Sequence, residues 1–224
     1  MKMHRISWAA AGVVGLALLT GCATQQAPYD YSAFQQAKPA TLLVMPPLND
    51  SPEVAATPGV WSQATRPLAE AGYYVLPVTL VDETLRQNGV TTAHDAHEIA
   101  LPKLREVFGA DAAVYLKVRQ YGTSYAILRS ETRVTVDGRI VDLRSGAVLW
   151  EGSATASSAE QQQSGGGLAG MLLMAIVNQI VESATDASFG YAGITNARLL
   201  GIPRMNGILP GPRSKLYGQV PVPR

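Results

Sequence analysis

Thr132-Arg133-Val134-Thr135-Val136-Asp137-Gly138-Arg139-Ile140-Val141-Asp142-Leu143-Arg144-Ser145-Gly146-Ala147-Val148-Leu149-Trp150 carries the clearest fold signal in the chain. Val134 and Val136 alternate with Arg133, Thr135 and Asp137, the period of a strand with one covered face. Leu143 to Gly146 reads as a turn in which the glycine supplies a positive φ, and Ala147 to Trp150 runs apolar into a Ser/Thr/Ala strand ending at Ser157. Residues 132–157 are therefore expected to form an antiparallel hairpin. Gly138, inside its first strand, predicts a bulge or a close backbone approach.

Upstream of the hairpin, Asp111 to Gln120 alternates Val114, Leu116 and Val118 with Tyr115, Lys117 and Arg119, again a half-covered strand. Asp95 to Phe108 has helical spacing; Pro102 should open a second helical piece at a tolerated position and Gly109 should close it. Leu80 to Gln87 reads as a helix stopped by Asn88-Gly89, and Tyr73 to Val78 as a strand. Val60 to Ala71 is expected to be a helix that Pro67 breaks or restarts. Thr41 to Met45, stopped by Pro46-Pro47, fits a short buried strand.

Downstream, residues 157–167 form a Ser/Gln tract ending in three glycines, a linker composition. Leu168 to Ala184 reads as a helix whose first half is apolar all round. Packed on the sheet it is a core helix; otherwise Met171, Leu173, Met174 and Val177 are candidates for docking a partner or a membrane. The combined pattern predicts an α/β fold, one domain of two or three layers with a mixed sheet. The expected organisation is a signal peptide over residues 1–21 and a flexible tether over 22–40, in which Tyr29, Tyr31 and Phe34 are exposed. An α/β domain follows over 41–200, then a Pro/Gly-rich strap or tail over 201–224.

The first 21 residues set the address. Lys2, His4 and Arg5 precede an apolar run, Ile6 to Leu19, too short to span a bilayer as a helix and of the form of a secretory signal. Leu19-Thr20-Gly21-Cys22 resembles the lipobox of bacterial lipoproteins. On that reading the thiol of Cys22, the only cysteine, receives a diacylglyceryl group and becomes an acylated N-terminus. The alternative is an ordinary signal peptide with an incidental cysteine. Several acyl chains hold a protein at a membrane without any transmembrane helix. Ala23 and Thr24 follow Cys22 in place of an aspartate that would resemble an inner-membrane retention signal, so the expected address is the outer membrane, facing the periplasm, with surface display as a variant.

Removing residues 1–21 takes 18 basic side chains to 16 against 17 acidic ones. A near-neutral chain without basic blocks argues against nucleic acid as a partner. An acylated sole cysteine leaves no disulfide, so packing alone must hold the fold.

Catalytic patterns are weak. His94 and His97 share a helical face, a candidate zinc pair completed by a distant carboxylate, Asp82 or Glu83; the competing reading is a helix start in which Asp95 and Glu98 suit the first turn. No Gly-x-Ser-x-Gly elbow is present. The glycines at 165–167 and 170 precede a helix without the lysine of a phosphate loop. The expectation is a non-enzyme without metal or cofactor.

Leu43-Val44-Met45-Pro46-Pro47-Leu48-Asn49, Phe108-Gly109-Ala110-Asp111-Ala112, Gly165-Gly166-Gly167-Leu168 with Asn178-Gln179-Ile180, and Asn206-Gly207-Ile208-Leu209-Pro210-Gly211-Pro212-Arg213 together resemble a family of Gram-negative outer-membrane lipoproteins of unassigned activity, to which a neisserial vaccine-candidate lipoprotein belongs. The resemblance spans about residues 40–215, and the last run is its most specific part. It implies a fold similar to the amino-terminal domain of TolB and a gene neighbourhood shared with a lipoprotein like CsgG, and it brings no catalytic residues. The functional expectation is an assembly or accessory subunit of an envelope complex, related to secretion or a surface structure, with a CsgG-like lipoprotein or another envelope protein as partner. The alternative is a tethered activator of a peptidoglycan synthase.

Overall fold

The computed structural model describes residues 28–126, 129–160 and 187–220. In chain order these hold α1 (Ser32–Ala37), β1 (Thr41–Val44), β2 (Leu48–Asn49), α2 (Ala56–Glu70), β3 (Tyr74–Val75), α3 (Val78–Gln87), α4 (Ala93–His97), α5 (Leu101–Phe108), β4 (Ala112–Ala126), β5 (Arg129–Asp142), β6 (Val148–Ser157) and α6 (Ala187–Leu200). No helix among them is long and apolar enough to cross a membrane.

The fold is α/β with one mixed sheet in the order β3-β1-β4-β5-β6, with β2 pairing β4 off that path. β1 is parallel to β3 and β4, whereas β4-β5-β6 is an antiparallel meander. Leu42, Leu43 and Val44 of β1 are all fully buried, so this strand is covered on both faces, as short parallel strands usually are. α2 and α6 pack together across one face of the sheet. Val81, Leu85, Ala96 and Leu104, from α3, α4 and α5, join the same core.

The antiparallel part differs. Leu116, Val136 and Ile140 are buried on the α6 side, while Arg119, Arg139, Glu151 and Ser153 are exposed on the other face. The expected hairpin is present as β5 and β6, and Gly146 takes φ +74° in its turn. Asp142 caps that turn, its Oδ1 accepting the Arg144 and Ser145 N–H groups at 3.0 and 2.7 Å.

Two bulges interrupt the ladders, neither at Gly138. One lies between Val118 and Gln120, making Arg119 the extra residue, and the other between Ile140 and Val141, making Leu149 extra. The second explains the apolar run before Glu151: a bulge lets Leu149 and Trp150 both be buried. Gly138 instead provides close approach, since a Cβ there would lie 3.1 Å from Leu199 Cδ2 of α6.

Several expectations need correction. α2 begins at Ala56 and runs through Pro67 without a break; an N–H is missing at that position, but burial of Val60, Trp61, Ala64 and Leu68 on one face holds the helix together. Residues 29–40 are not a free tether. Tyr31 and Phe34 are buried, and α1 packs near β6. α6 lies in a stretch where no element was expected. The candidate contact residues Met171, Leu173, Met174 and Val177, and the anchor motif Leu19, Thr20, Gly21 and Cys22, lie outside the described residues.

Candidate functional site

Two adjoining features stand out: a clamp that binds both ends of the domain, and the open face of the antiparallel strands. The clamp begins at Tyr29, whose N–H donates to Asn206 Oδ1 at 3.0 Å and whose hydroxyl accepts the Glu151 N–H on β6 at 3.2 Å. Tyr31 stacks near it, with ring centroids 5.0 Å apart, and donates its hydroxyl to the Gly207 carbonyl at 2.6 Å. Burial pushes that phenol up to about 12, so it stays a donor at any physiological pH. Trp150 Nε1 donates to the Asn206 carbonyl at 2.9 Å, and Tyr73 donates to the Leu209 carbonyl at 2.5 Å.

The Asn206-to-Arg213 run owes its composition to this clamp. Asn206 takes φ +54°, a left-handed conformation asparagine tolerates better than most residues, within a turn closed by Gly207 N–H to the Arg204 carbonyl at 3.1 Å. A Cβ on Gly211 would lie 2.6 Å from the Gly72 carbonyl. There the strap hydrogen-bonds to the end of α2, Gly211 N–H to the Ala71 carbonyl at 2.8 Å and Arg213 N–H to Gly72 at 3.0 Å. Arg213 then lies over the Tyr74 ring at 5.4 Å.

The open face carries a depression of about 600 Å³, bordered by His97, Tyr115, Lys117, Arg119, Asp137 and Arg139, among others. Strand alternation places Tyr115, Lys117, Asp137 and Arg139 on one side, and the bulge at Arg119 turns that side chain toward two carboxylates. Arg119 contacts Asp137 at 2.6 Å and Asp50 at 3.0 Å, while Lys117 reaches Asp50 at 3.1 Å. These cations hold the Asp50 carboxyl below its usual range, Lys117 first among them. Such half-exposed pairs add little stability individually. Their effect is to fix the directions of four charges on one surface.

At the other end of the depression, His97 from α4 meets the Tyr115 ring edge-on, centroids 5.0 Å apart, and Arg139 lies 5.6 Å over the same ring. His97 Nε2 is 2.8 Å from the Pro46 carbonyl, which fixes it as the protonated ring nitrogen and takes it away from any metal. Burial lowers the His97 pKa and raises that of Tyr115, so both are neutral near pH 7. This surface presents oriented charge and an aromatic ring.

His94 and His97 do not converge with Asp82 or Glu83, and among the described residues no three His, Cys, Asp or Glu side chains could hold a metal ion. The start of α4 is built differently from the expected acid pair: Thr92 is the N-cap, accepting the Asp95 N–H at 3.1 Å and donating to Asp95 Oδ2 at 2.7 Å. Asp111, in the Phe108-to-Ala112 run, joins two elements. Its Oδ2 accepts the Ala40 and Thr41 N–H groups at 3.0 Å each, and its Oδ1 pairs with Arg144 at 2.7 Å. Burial pushes this carboxyl up, but those donors outweigh it and hold the group below the usual carboxylate range.

A family model described as "Putative lipoprotein GNA1162-like" matches residues 29–213, which begin and end on the clamp residues Tyr29 and Arg213. A protein of Neisseria meningitidis serogroup B named "Putative lipoprotein NMB1124/NMB1162" is 46% identical over 203 residues, 90% of this chain and 94% of its own. The crystal structure of lipoprotein GNA1162 from Neisseria meningitidis superposes with a TM-score of 0.53 at 50% identity, over 65% of this chain and all of that one. The C-terminal domain of LpoB from Salmonella enterica reaches a TM-score of 0.38 at 15% identity, over 52% of this chain and 82% of its own, too low a likeness to argue from.

Proposed function

Because the chain belongs to the GNA1162-like lipoprotein family, we propose that it is a lipid-anchored outer-membrane lipoprotein working as a non-enzymatic assembly or accessory subunit of an envelope complex, related to secretion or a surface structure. The observation that carries this reading is the docking of Tyr29 in the clamp. With Cys22 as the lipid attachment, seven peptide steps separate the anchor from Tyr29 in the clamp. That is roughly 25 Å at full extension and roughly 15 Å as a flexible coil. The domain is then held beside its membrane, where an envelope complex assembles. An activator of a peptidoglycan synthase would need far more slack to reach through the periplasm.

The open face supplies the contact surface for such a partner. Lys117, Arg119, Asp137 and Arg139 line one depression, and Asp50 pairs with Lys117 and Arg119; oriented charges of both signs select partners and reject misfits. The partner class is another envelope protein, a CsgG-like lipoprotein among the candidates. In-cell crosslinking from a photoreactive residue at position 139, compared with position 80 on α3, tests the proposal. Adducts with a second envelope protein from 139 alone are expected; adducts from neither position would contradict it.

A further inference from the structure

The turn at Arg204–Gly207 lies beside the first described residues of the chain, with Arg204 and Met205 exposed. Tyr29 N–H is bonded to Asn206 Oδ1 within that turn, so the amino-terminal end of the described domain meets the turn at this point. Met205, in the turn, is 46% exposed, although a methionine gains nothing from water. Arg204 is exposed next to it, donating one guanidinium nitrogen to the Arg198 carbonyl and forming no ion pair among the described residues. Tyr29 is half-buried, and Asp30 and Glu151, both exposed, flank it.

We propose that this turn is the membrane-contacting surface of the domain: Met205 enters the lipid headgroup layer, with Arg204 on lipid phosphates and Tyr29 at the interface. The inference rests on the reading of Cys22 as the lipid attachment. A lipid surface fits this turn because the link from Cys22 is short and ends beside it. Seven peptide steps from Cys22 end at Tyr29, which is bonded to the turn, so the bilayer surface lies within roughly 25 Å of Tyr29 whenever the anchor is inserted. At that spacing the local concentration of headgroups is high, and a contact too weak to act alone becomes occupied. The residue types agree. An exposed arginine and methionine with a tyrosine alongside match a layer that is apolar inside and charged outside. The acids Asp30 and Glu151 favour a zwitterionic surface, whose ammonium groups they can meet, over a strongly anionic one. Membrane contact there also fixes the orientation of the domain. The β6 edge points toward the bilayer, and β3, at the opposite edge of the sheet, points away with α3.

The test uses full-length lipidated protein reconstituted into phosphatidylcholine vesicles. With Cys22 acylated, Met205→Cys and Leu80→Cys each introduce one reactive thiol for an environment-sensitive fluorophore; position 80 is 58% exposed on α3. Circular dichroism checks that both variants are folded. The expected result is a blue shift at 205 on going from detergent to vesicles, with loss of intensity when nitroxide-labelled lipids are included, and neither change at 80. Equal responses at 205 and 80, in protein that sediments with the vesicles, would overturn this inference and leave the anchor reading intact. Failure to sediment with vesicles would overturn the anchor reading and this inference together.

Discussion

The two halves of the sheet are built from similar strands but placed in different surroundings. β1, in the parallel half, is covered on both faces and has no solvent-facing position between Leu42 and Val44. β5, in the antiparallel half, buries Val134, Val136 and Ile140 against α6 and shows Arg133, Asp137 and Arg139 on its other side. The first half can only be scaffold. The second is scaffold on one face and free to carry contacts on the other, and both ends of the domain dock at its edge through Tyr29 and Asn206.

The sharpest way to break this distinction is to make the same substitution in both halves. Leu43→Asp would place an unpaired carboxylate in a fully buried position and should cost about 4–5 kcal/mol or more. Thr135→Asp, on the open face, should stay within about 1 kcal/mol. Urea denaturation of the two variants checks this, and a large loss at both positions would mean that the open face is covered.

Phe34→Ala comes next, because it asks whether α1 belongs to the core. A buried phenylalanine truncated to alanine costs about 3–5 kcal/mol, whereas one on a free tether would cost almost nothing. Tyr31→Phe, which removes only the hydroxyl bonded to Gly207, should lower stability by about 1 kcal/mol in the same assay.

The smallest expected effect is a pH dependence from His97. The folded site holds this ring neutral below its ordinary value of 6.5, chiefly through burial, with Arg139 and His94 acting in the same direction and the Pro46 carbonyl and Glu98 opposing. Unfolded chains therefore bind more protons as the pH drops through that value. The contribution is complete above about pH 6.5 and is lost as the pH falls from there toward the folded pKa. Denaturation midpoints measured from about pH 7.5 to 5 should decline, with a shallower slope in His97→Gln.

Much of this architecture was legible where periodicity was strong. The β5-β6 hairpin was readable because Val134 and Val136 alternate with polar residues and Ser145-Gly146 marks the turn. Pro102 and Gly109 bracketed α5 by their backbone chemistry. The last part of β4 was not readable, since Gly122, Thr123 and Ser124 have no alternation and are held by pairing with β5.

α6 was hidden for a related reason. Gly190, Gly193, Thr195 and Asn196 are poor helix formers, and tertiary contacts hold them in place: Gly193 lets Gln63 approach, and Asn196 Nδ2 donates to the Val60 carbonyl at 2.8 Å. The clamp was invisible because Tyr31 and Gly207 are 176 positions apart. The open face could be anticipated in part, as Tyr115, Lys117 and Arg119 were expected to share a side of their strand. The bulge that re-aims Arg119 and the helix that brings His97 to Tyr115 required the folded chain.

Amide hydrogen exchange across residues 29–40 tests the account most directly. In the structure Gln35 N–H donates to the Tyr31 carbonyl at 2.8 Å and Lys38 N–H to the Phe34 carbonyl at 3.0 Å, within a helix packed on the core. Protection of these amides in the native protein, lost together in Phe34→Ala, is the predicted result. Exchange at the rate of an unstructured chain would show that the domain swings on a long tether, and would contradict both the clamp and the membrane-proximal placement derived from it.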